Sequence, residues 1–433
     1  MENIIIKSQA GTFSGFCENK INNFYGIPYA SSCADSNRWN APKRLQANHI
    51  HTESVRGPSA YQTIVNKSFM FDPTLPVESE DCLSLNIAFP KEASNLPVMI
   101  WIHGGAYLTG SANGALYQME TLASKGGVLV AINYRLGPLG FLKLDEVTNG
   151  LIPSTGNEGL LDQRMAIQWV KENIESFGGN PDNITIFGES AGGHNVFSLV
   201  ASKRAEGLFH KVIVQSGIMS ASSIEVTESY LPETGIASTT SGLEVFNHIL
   251  LANNKANNLE EAREIQNTME SQEIKTLFYE QTPEVLMQSS SDARPKRSGM
   301  TRVFPDGHVI LKGGIEESFT NGALSRVPII TGTNKDENKF FNSMNRDFVK
   351  WGPSSGLYST VGIDEMPLEI IDLDYYEAIN FYGSSFWKQR AVDSPAKQLV
   401  ESGHSETFAY RFDWDELSTV NGMDLSKLIG AAH

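Results

Sequence analysis

The stretch that most constrains the fold is ITIFGESAGG at residues 184–193. It joins a short apolar run to a G-x-S-x-G motif, and a helix-like segment, HNVFSLVAS, follows it. A sharp turn from strand to helix leaves no room for side chains two residues before and after its central serine, and Gly188 and Gly192 have none. Such a turn exposes the hydroxyl of Ser190 in a cleft and places the amide of Ala191 at a helix N-terminus. The motif therefore predicts that Ser190 is a nucleophile.

Short apolar runs recur along the rest of the chain, and most of them end in glycine or small polar residues. They lie at residues 85–89, 97–105, 127–135, 183–190, 211–217, 327–334 and 407–414. Continuous hydrophobicity predicts strands that are covered on both faces, as in parallel sheets. A helical pattern fills residues 160–177, with Gly178 as its C-cap, and a helix between two parallel strands makes a βαβ unit. The sequence thus predicts an α/β fold, a mostly parallel central sheet with helices on both faces.

Two regions depart from this rhythm of strand and helix. Residues 1–30 alternate strand-like runs with glycine and asparagine turns, which predicts an antiparallel meander at one edge of the sheet. Residues 218–326 are rich in Ser, Glu, Asn and Gln and contain helical patches. They predict an inserted, largely helical cap over the C-terminal edge of the sheet, where α/β folds bind ligands. We expect residues 1–433 to form a single domain that includes this cap.

A second glycine-containing loop, WIHGGAY at residues 101–107, follows another apolar run. Its small residues allow backbone N–H groups to converge, so Gly105 and Ala106 are expected to complete an oxyanion hole with Ala191. The alternative is a glycine-rich turn that binds no ligand. His103 is expected to shape the loop, because in this kind of fold the catalytic base follows both the serine and the acid in the chain.

Two further residues beside the predicted site carry reactive or ionisable groups. Ser216, in VIVQSG, is the other serine at the end of an apolar run, but no glycine lies two residues before it. We interpret Ser216 as a hydrogen-bonding residue behind the site. Glu189 precedes the nucleophile directly, and the sequence leaves two roles open for it: ordering a water molecule or accepting a structural hydrogen bond.

The charge balance restricts the partners of the protein. Fifty acidic residues against 34 basic ones give a net charge of -16, which repels nucleic acid and anionic lipid surfaces. No cofactor motif is present, and His49 and His51 lack the cysteines or clustered acids of a metal site. The chain has no membrane-spanning apolar stretch, no signal-peptide pattern at its start and three cysteines. We therefore expect a cytoplasmic protein with reduced thiols.

Several motifs occur in a fixed order along the chain. They are FYGIPYA at 24–30, EDCLSLN at 80–86, WIHGGAY at 101–107, NYRLGPLGF at 133–141, GNEGLLDQRMAIQWVKENIESFGGNPDNITIFGESAGG at 156–193 and VIVQSG at 212–217. With these motifs the sequence resembles the type-B carboxylesterase/cholinesterase family over essentially its whole length. The resemblance implies the α/β-hydrolase fold and a serine hydrolase that cleaves small-molecule carboxylic esters without a cofactor.

The resemblance also implies which residues carry the reaction. It makes Ser190 the nucleophile, with the oxyanion hole already named. In GTNKDEN at residues 332–338 the family's Asp-Glu pair ends in the catalytic acid, hence Glu337 rather than Asp336. The ending LIGAAH matches the family's Ala-x-His, which makes His433 the base.

The sequence departs from cholinesterases in two places that affect substrate choice. Residues 68–79 lack the tryptophan that stacks on choline, although Phe69 or Phe71 could replace it, and a cationic substrate is not indicated. Residues 218–223 read IMSASS where cholinesterases carry an aromatic residue of the acyl pocket. A more open acyl pocket is therefore expected.

Three alternatives to an ester hydrolase remain open at this point. Some relatives of the fold serve as non-catalytic interaction modules, although retention of Ser190, Glu337 and His433 argues against that role. A peptidase or thioesterase would use the same three residues. Family members also continue beyond their histidine, so we expect the sequence to be truncated at its C-terminus, and such a product would have little activity.

Overall fold

The computed structural model describes residues 2–45, 49–51, 54–62, 77–114, 117, 119–224, 241–294, 302–321, 325–353, 365–416, 419–420 and 423–432. Its strands are β1 (Glu2–Ser8), β2 (Gly11–Glu18), β3 (Ile21–Pro28), β4 (His49–His51), β5 (Ser84–Pro90), β6 (Leu96–Ile102), β7 (Val128–Ile132), β8 (Gly179–Glu189), β9 (Lys211–Gln215), β10 (Ile329–Asn334), β11 (Val349–Pro353), β12 (Glu365–Ile370), β13 (Thr407–Phe412), β14 (Thr419–Val420) and β15 (Met423–Asp424). Its α-helices are α1 (Met119–Ala123), α2 (Gly137–Gly140), α3 (Glu158–Asn173), α4 (Ala191–Ala201), α5 (Gly242–Ala252), α6 (Leu259–Thr268), α7 (Ser271–Glu280), α8 (Pro283–Asp292), α9 (Gly314–Thr320), α10 (Glu337–Ser343), α11 (Leu373–Lys388), α12 (Ser394–Glu401) and α13 (Leu425–Leu428). Short 3-10 helices cover Asp35–Asn37, Ile174–Phe177 and Lys203–Ala205, and a π-helical turn covers Gln389–Asp393.

Eleven of these strands form one sheet. Ten follow the order β1-β2-β3-β5-β7-β6-β8-β9-β10-β13, and β4 pairs with β2. From β7 to β13 the neighbours are parallel, whereas the pairs from β1 to β7 are antiparallel. The predicted α/β architecture is confirmed, and so is the antiparallel meander at one edge.

The main core lies on the two faces of the central strands. All five side chains of β7 are buried, and Ile100 on β6 and Ile186 on β8 are sealed from solvent. Long apolar side chains of α3 and α4 pack on this sheet, and Trp169 and Phe197 belong to the same cluster. Buried strands of this kind must be covered on both faces, which the helices achieve. This packing fixes the ends of β6 and β8, where the site residues follow.

Helix α3 crosses between β7 and β8, as predicted. The helix continues into a 3-10 turn and ends at Gly178, whose φ of 77° is the left-handed conformation of a helix C-cap. A buried ion pair ties this helix to the loop after β7. Arg135 donates from Nη2 to Asp162 Oδ1 at 2.7 Å and from Nε to Asp162 Oδ2 at 2.8 Å. Such bidentate geometry compensates for the desolvation of both charges.

The prediction that residues 407–414 are covered on both faces is wrong. They contain β13, the last strand of the sheet, whose one strand neighbour in the described part of the chain is β10. Phe408 is 59% exposed, and Phe412 and Trp414 are about equally open to solvent. The apolar run predicted the strand correctly, but a strand at a sheet edge is covered only where another element packs on it.

Five helices of the described ranges, α5 to α9, lie between β9 and β10 and agree with the helical character predicted for this region. Phe246 and Phe278 are the centre of a second core, which also includes Trp39 from the N-terminal part. The Trp39 ring packs edge-on against Phe278, and its Nε1 donates to the Pro138 carbonyl oxygen at 2.8 Å. These contacts anchor the helices to α2. Their role as a cap over the site stays a prediction.

None of the helices in the described ranges is long and apolar enough to span a bilayer. The structure records Cys17, Cys33 and Cys82 as free thiols, two of them buried.

Candidate active site

Ser190 lies at the sharp turn between β8 and α4. Its backbone has φ 54° and ψ -122°, an unusual conformation for a residue with a side chain. Two backbone hydrogen bonds hold the turn: Ser190 N donates to the Gln215 carbonyl at 2.9 Å, and His194 N donates to the Ser190 carbonyl at 2.9 Å. The serine is thus fixed between the end of one strand and the first turn of a helix, in the strained conformation that the motif predicted.

The two glycines of the motif are required by close backbone contacts. A Cβ atom added to Gly192 would lie 2.1 Å from the Ile102 carbonyl oxygen, and one added to Gly188 would lie 2.6 Å from the Gly192 carbonyl carbon. Neither neighbour can give way, because each belongs to the backbone of a packed element. The sequence positions of both glycines therefore follow from the approach of α4 to the end of β6.

The loop after β6 brings three consecutive residues with positive φ close to the serine. Gly105, Ala106 and Tyr107 have φ of 110°, 57° and 64°. The N–H groups of Gly105, Ala106 and Ala191 donate to no backbone or side-chain acceptor among the described residues. A Cβ on Gly104 would lie 3.2 Å from Ser190 Cβ, so the loop passes directly beside the serine. The loop and the helix N-terminus thus offer unpaired donors around one side chain.

His103 is buried in the wall of this loop. Its ring stacks on Tyr134 with centroids 4.3 Å apart, and its Nδ1 lies 2.9 Å from the Gly104 carbonyl oxygen. Burial lowers the pKa of His103 to about 4, so the imidazole is neutral at physiological pH. The Tyr134 hydroxyl donates to the His103 carbonyl oxygen at 2.7 Å and holds the same turn. These contacts give His103 a place in the loop structure, as expected from its sequence position.

Glu337 is fully buried at the start of α10, just after β10. Its Oε1 accepts hydrogen bonds from Ser216 Oγ at 2.7 Å, from Thr333 Oγ1 at 2.6 Å and from Asn334 N at 2.7 Å. Three donors on one carboxylate oxygen stabilise the charged form and fix its orientation. The structure therefore brings Ser216 to Glu337, behind the loop that carries Ser190.

Asp336, the neighbour of Glu337, faces the end of the chain instead. Its N donates to the Ala431 carbonyl at 2.8 Å, and its Oδ2 accepts from Ala431 N at 3.1 Å. The Tyr376 hydroxyl donates to the Leu428 carbonyl at 2.7 Å and holds the preceding helical turn. His433 lies outside the described residues. The segment two residues before it is thus attached directly beside Glu337.

Glu189 and Glu337 share one aromatic neighbour, Tyr410 of β13. Burial raises the pKa of Tyr410, and the charges of both carboxylates add to that shift. The strand pairing places Glu189 opposite Gln215, the residue that also receives the Ser190 N–H. Both roles left open for Glu189 are compatible with this position.

Three residues of this cluster were not predicted from the sequence. Thr333 and Asn334 orient Glu337 by hydrogen bonds. Their spacing could have indicated this, because a hydroxyl residue lies four positions, and a backbone donor three positions, before an acid that begins a helix. Tyr410 gave no signal, because it reaches the site through strand pairing between residues almost eighty positions apart.

Other predicted positions are distant or not described. Phe69 and Phe71 lie outside the described residues. His49 and His51 belong to β4, which pairs with β2, far along the sheet from β8. No group of three or more His, Cys, Asp or Glu side chains in the described ranges is placed to hold a metal ion.

The segment after β9 borders the site on the side where the acyl pocket was expected. Gly217 packs against the backbone of Gly193, with a Cβ on Gly217 only 2.5 Å from the Gly193 carbonyl carbon. Further along, Ser222 N donates to the Val303 carbonyl oxygen at 2.8 Å. This segment therefore connects α4 to the chain that returns from the helical region.

Comparison with known proteins agrees with this geometry. The profile of the carboxylesterase family matches residues 2–360. The para-nitrobenzyl esterase of Bacillus subtilis is 31% identical over 435 residues, which cover 96% of this chain and 79% of that one. The human cocaine esterase is 44% identical over 209 residues, but that match covers 46% of this chain and only 36% of the relative.

Solved structures match over nearly the whole chain. A carboxylesterase of Geobacillus stearothermophilus superimposes with a TM-score of 0.71 and 28% identity, covering 98% of this chain and 82% of that one. A para-nitrobenzyl esterase gives a TM-score of 0.68 at 28% identity, covering 98% and 84% of the two chains. The chain therefore belongs to the carboxylesterase family of carboxylic ester hydrolases and has the α/β-hydrolase fold of its members.

Proposed function

We propose that the protein hydrolyses carboxylic esters through an acyl-enzyme on Ser190, with Glu337 and His433 completing the triad. The observation that carries this proposal is the turn at Ser190, where a strained backbone is held beside three N–H groups that have no acceptor among the described residues. A turn with a purely structural role does not require several unpaired donors directed at one place, whereas stabilisation of an oxyanion does.

In the first step Ser190 Oγ attacks the ester carbonyl carbon and transfers its proton to His433. The resulting oxyanion accepts hydrogen bonds from the N–H groups of Gly105, Ala106 and Ala191. The tetrahedral intermediate then collapses, the carbonyl carbon–oxygen bond to the alcohol breaks, and His433 returns the proton to the leaving alcohol. Water repeats the sequence on the acyl-enzyme and releases the acid.

The assignment of the acid and the base is supported by hydrogen bonds around α10. The Asp336 carboxylate accepts from Ala431 N, whereas Glu337 is fixed by three donors on one oxygen, one of them Ser216. The attachment of Ala431 beside Glu337 favours His433 as the residue that Glu337 orients. The low pKa of His103, together with its stacking on Tyr134, argues against His103 in that role.

A fluorophosphonate probe tests the proposal, because only an activated serine attacks phosphorus quickly. We expect stoichiometric labelling that peptide mass spectrometry maps to Ser190, and no labelling of Ser190→Ala. Ser216→Ala is the matched control, since it removes the other strand-end serine and should keep the label on Ser190 at a reduced rate. Label on Ser216, or unchanged labelling of Ser190→Ala, would contradict the proposal.

We also propose a cytoplasmic location, which the three free thiols support. Thiol titration of denatured protein from intact cells checks it: three reactive thiols per chain are expected, and fewer would contradict it.

A further inference from the structure

Arg302 is a partly buried cation whose Nε is sealed from solvent. Among the described residues this Nε has no hydrogen-bond acceptor, and no carboxylate lies within ion-pair distance of the guanidinium. Burial lowers the pKa of Arg302 and the positive charge of Arg390 lowers it further, whereas electrostatic interactions with Tyr107 and Glu316 raise it. An arginine nevertheless stays charged in a protein, so an unpaired buried guanidinium is costly unless something else neutralises it.

A second arginine adds to this unbalanced charge. Arg390 lies within electrostatic reach of Arg302, and its guanidinium contacts the Phe386 ring, 5.6 Å from the centroid. Arg390, too, has no carboxylate partner within ion-pair distance among the described residues. The chain has 50 acidic and 34 basic residues, so two adjacent arginines could readily have been paired. Glu316 acts on Arg302 only from beyond ion-pair distance, and neither arginine is ion-paired within the described residues, so their positive charge favours a site for an external anion.

The two arginines flank the segment that borders the candidate active site. The Arg302 carbonyl oxygen accepts from Ser222 Oγ at 3.4 Å, and Ala391, next to Arg390, packs on Ile218. Ile218 follows Gly217, which contacts α4 just after the nucleophile. The positive charges are therefore placed at the segment expected to receive the acyl group.

Two hydroxyl groups in the same area are also buried, and neither has a hydrogen-bond partner within the part of the chain that the structure describes. One is the Tyr107 hydroxyl, one residue after Ala106 of the proposed oxyanion hole, which interacts electrostatically with Arg302. The other is the Ser220 hydroxyl, which is equally sealed from solvent. Burial raises the pKa of Tyr107, so its hydroxyl stays protonated and can donate. Buried polar groups are normally hydrogen-bonded, and these donors therefore point to a missing acceptor.

We propose that Arg302, Arg390 and the Tyr107 hydroxyl bind a carboxylate on the acyl chain of the substrate. The protein then acts on monoesters of dicarboxylic acids, and this inference rests on the proposed ester hydrolysis at Ser190. Guanidinium groups bind carboxylates by paired hydrogen bonds, and a phenol adds a third donor. Hydrolysis breaks the bond between the acyl carbon and the alcohol oxygen, and water supplies the oxygen that makes the second carboxylate. The product is a free dicarboxylate and an alcohol.

Pairs of esters that are matched in shape distinguish the effect of the substrate's charge from the effect of its shape. We compare monoethyl succinate, glutarate and adipate with ethyl 4-methylpentanoate, 5-methylhexanoate and 6-methylheptanoate, in which an uncharged isopropyl group replaces the carboxylate. A pH-stat follows acid release from both sets. For the best chain length we expect kcat/KM of the charged ester to exceed that of its neutral partner by about 10- to 100-fold at low ionic strength. The preference should decrease as salt is added.

Variants test whether the arginines cause the preference. Arg302→Met and Arg390→Met should each lower the ratio of charged to neutral kcat/KM by about tenfold or more, and Arg302→Lys should restore part of it. Arg164→Met is the matched control: it removes the same charge from α3, where Arg164 Nε donates to the Arg204 carbonyl, and should leave the ratio unchanged. Melting temperatures show that each variant is folded, and competitive inhibition of wild type by glutarate measures the same site without turnover.

The outcomes separate this inference from the proposed function. Turnover of the neutral esters with a ratio of one or less, or an unchanged ratio in both methionine variants, overturns the carboxylate site but leaves the esterase intact. A preference confined to 4-acetoxybutanoate over 4-methylpentyl acetate, where the charge is on the alcohol, overturns the acyl assignment. Absence of turnover on every ester, together with no fluorophosphonate labelling, overturns the proposed function itself.

Discussion

The surroundings of Ser190 and the strand at the far edge of the sheet, β13, come from similar apolar runs but differ completely in how they are covered. At Ser190, β8 has neighbours on both sides and a helix packs so closely that two residues must be glycine. On β13, one strand neighbour is present in the described part of the chain, and Phe408 and Phe412 are open to solvent. The difference shows that an apolar run encodes a strand, whereas the number of neighbours decides how much that strand buries.

The largest expected effect concerns Glu337, the proposed catalytic acid, which lies in the buried region near Ser190. Under the proposed mechanism, Glu337→Gln keeps the shape of the side chain but removes the charge that would orient and stabilise His433, so kcat should fall by about 10⁴-fold. Steady-state kinetics on a p-nitrophenyl ester measures it, with Asp336→Asn as the matched control. Because Asp336 binds backbone at Ala431, we expect that variant to lose much less activity. Equal losses in the two variants would reverse the assignment of the acid.

The next effect concerns the close contact at Gly192. In Gly192→Ala the new methyl group meets the Ile102 carbonyl oxygen, and the free energy of unfolding should fall by about 3 kcal/mol. Gly207→Ala is the control, because nothing lies within 4 Å of a Cβ added to Gly207, although its φ of 75° is positive. That variant should lose only about 1 kcal/mol through backbone strain. Urea unfolding gives both values, and similar losses would show that the packing at the turn is looser than described.

A pH effect follows from the burial of His103. The pKa of His103 in the folded protein is about 4, below the ordinary value of 6.5. Between these two pH values the unfolded chain therefore binds a proton at His103 that the folded protein does not bind. Stability is therefore unaffected above pH 6.5 and is lost as pH falls from 6.5 to 4, by up to about 3 kcal/mol. We expect His103→Gln to lose less stability over this window, measured by urea unfolding at several pH values. Parallel pH dependences in the two proteins would contradict the buried, neutral state of His103.

The smallest effect is expected on the exposed edge. Phe408→Ala should change the free energy of unfolding by only about 0.5 kcal/mol, whereas Ile186→Ala in β8 should cost about 2 to 5 kcal/mol. The two substitutions remove apolar side chains from strands of the same sheet, and urea unfolding compares them directly. A large loss in Phe408→Ala would show that β13 is covered in solution.

The fold was predictable because its main signals are local. The turn at Ser190, the C-cap at Gly178 and the N-terminal meander follow from short patterns of glycine and apolar residues, and all are found where they were predicted. The exposure of β13 was not predictable in this way, since it depends on which element lies beside the strand.

The candidate site, too, was predictable only where its residues belong to local motifs. Motifs pointed to Ser190 and Glu337, but the donors Thr333 and Asn334 became evident only from their hydrogen bonds to Glu337. The unpaired arginines at 302 and 390 gave no pattern either, because a missing ion pair is a property of three-dimensional neighbours. Sequence motifs thus identify reacting groups more readily than the residues that orient them or bind the rest of the substrate.

The hydrogen bonds between Asp336 and Ala431 have a consequence for the order of events during synthesis. They join residues 95 positions apart, and Ala431 leaves the ribosome after every strand of the large sheet. Domains begin to fold from their N-terminal parts as they emerge, so the turn at Ser190 can form while the segment around Ala431 is still being made. Closure of this long loop follows later and costs little extra entropy, because that cost grows slowly with loop length. Under the proposed mechanism, the nascent chain would therefore hold a shaped but unreactive serine until this segment attaches beside Glu337.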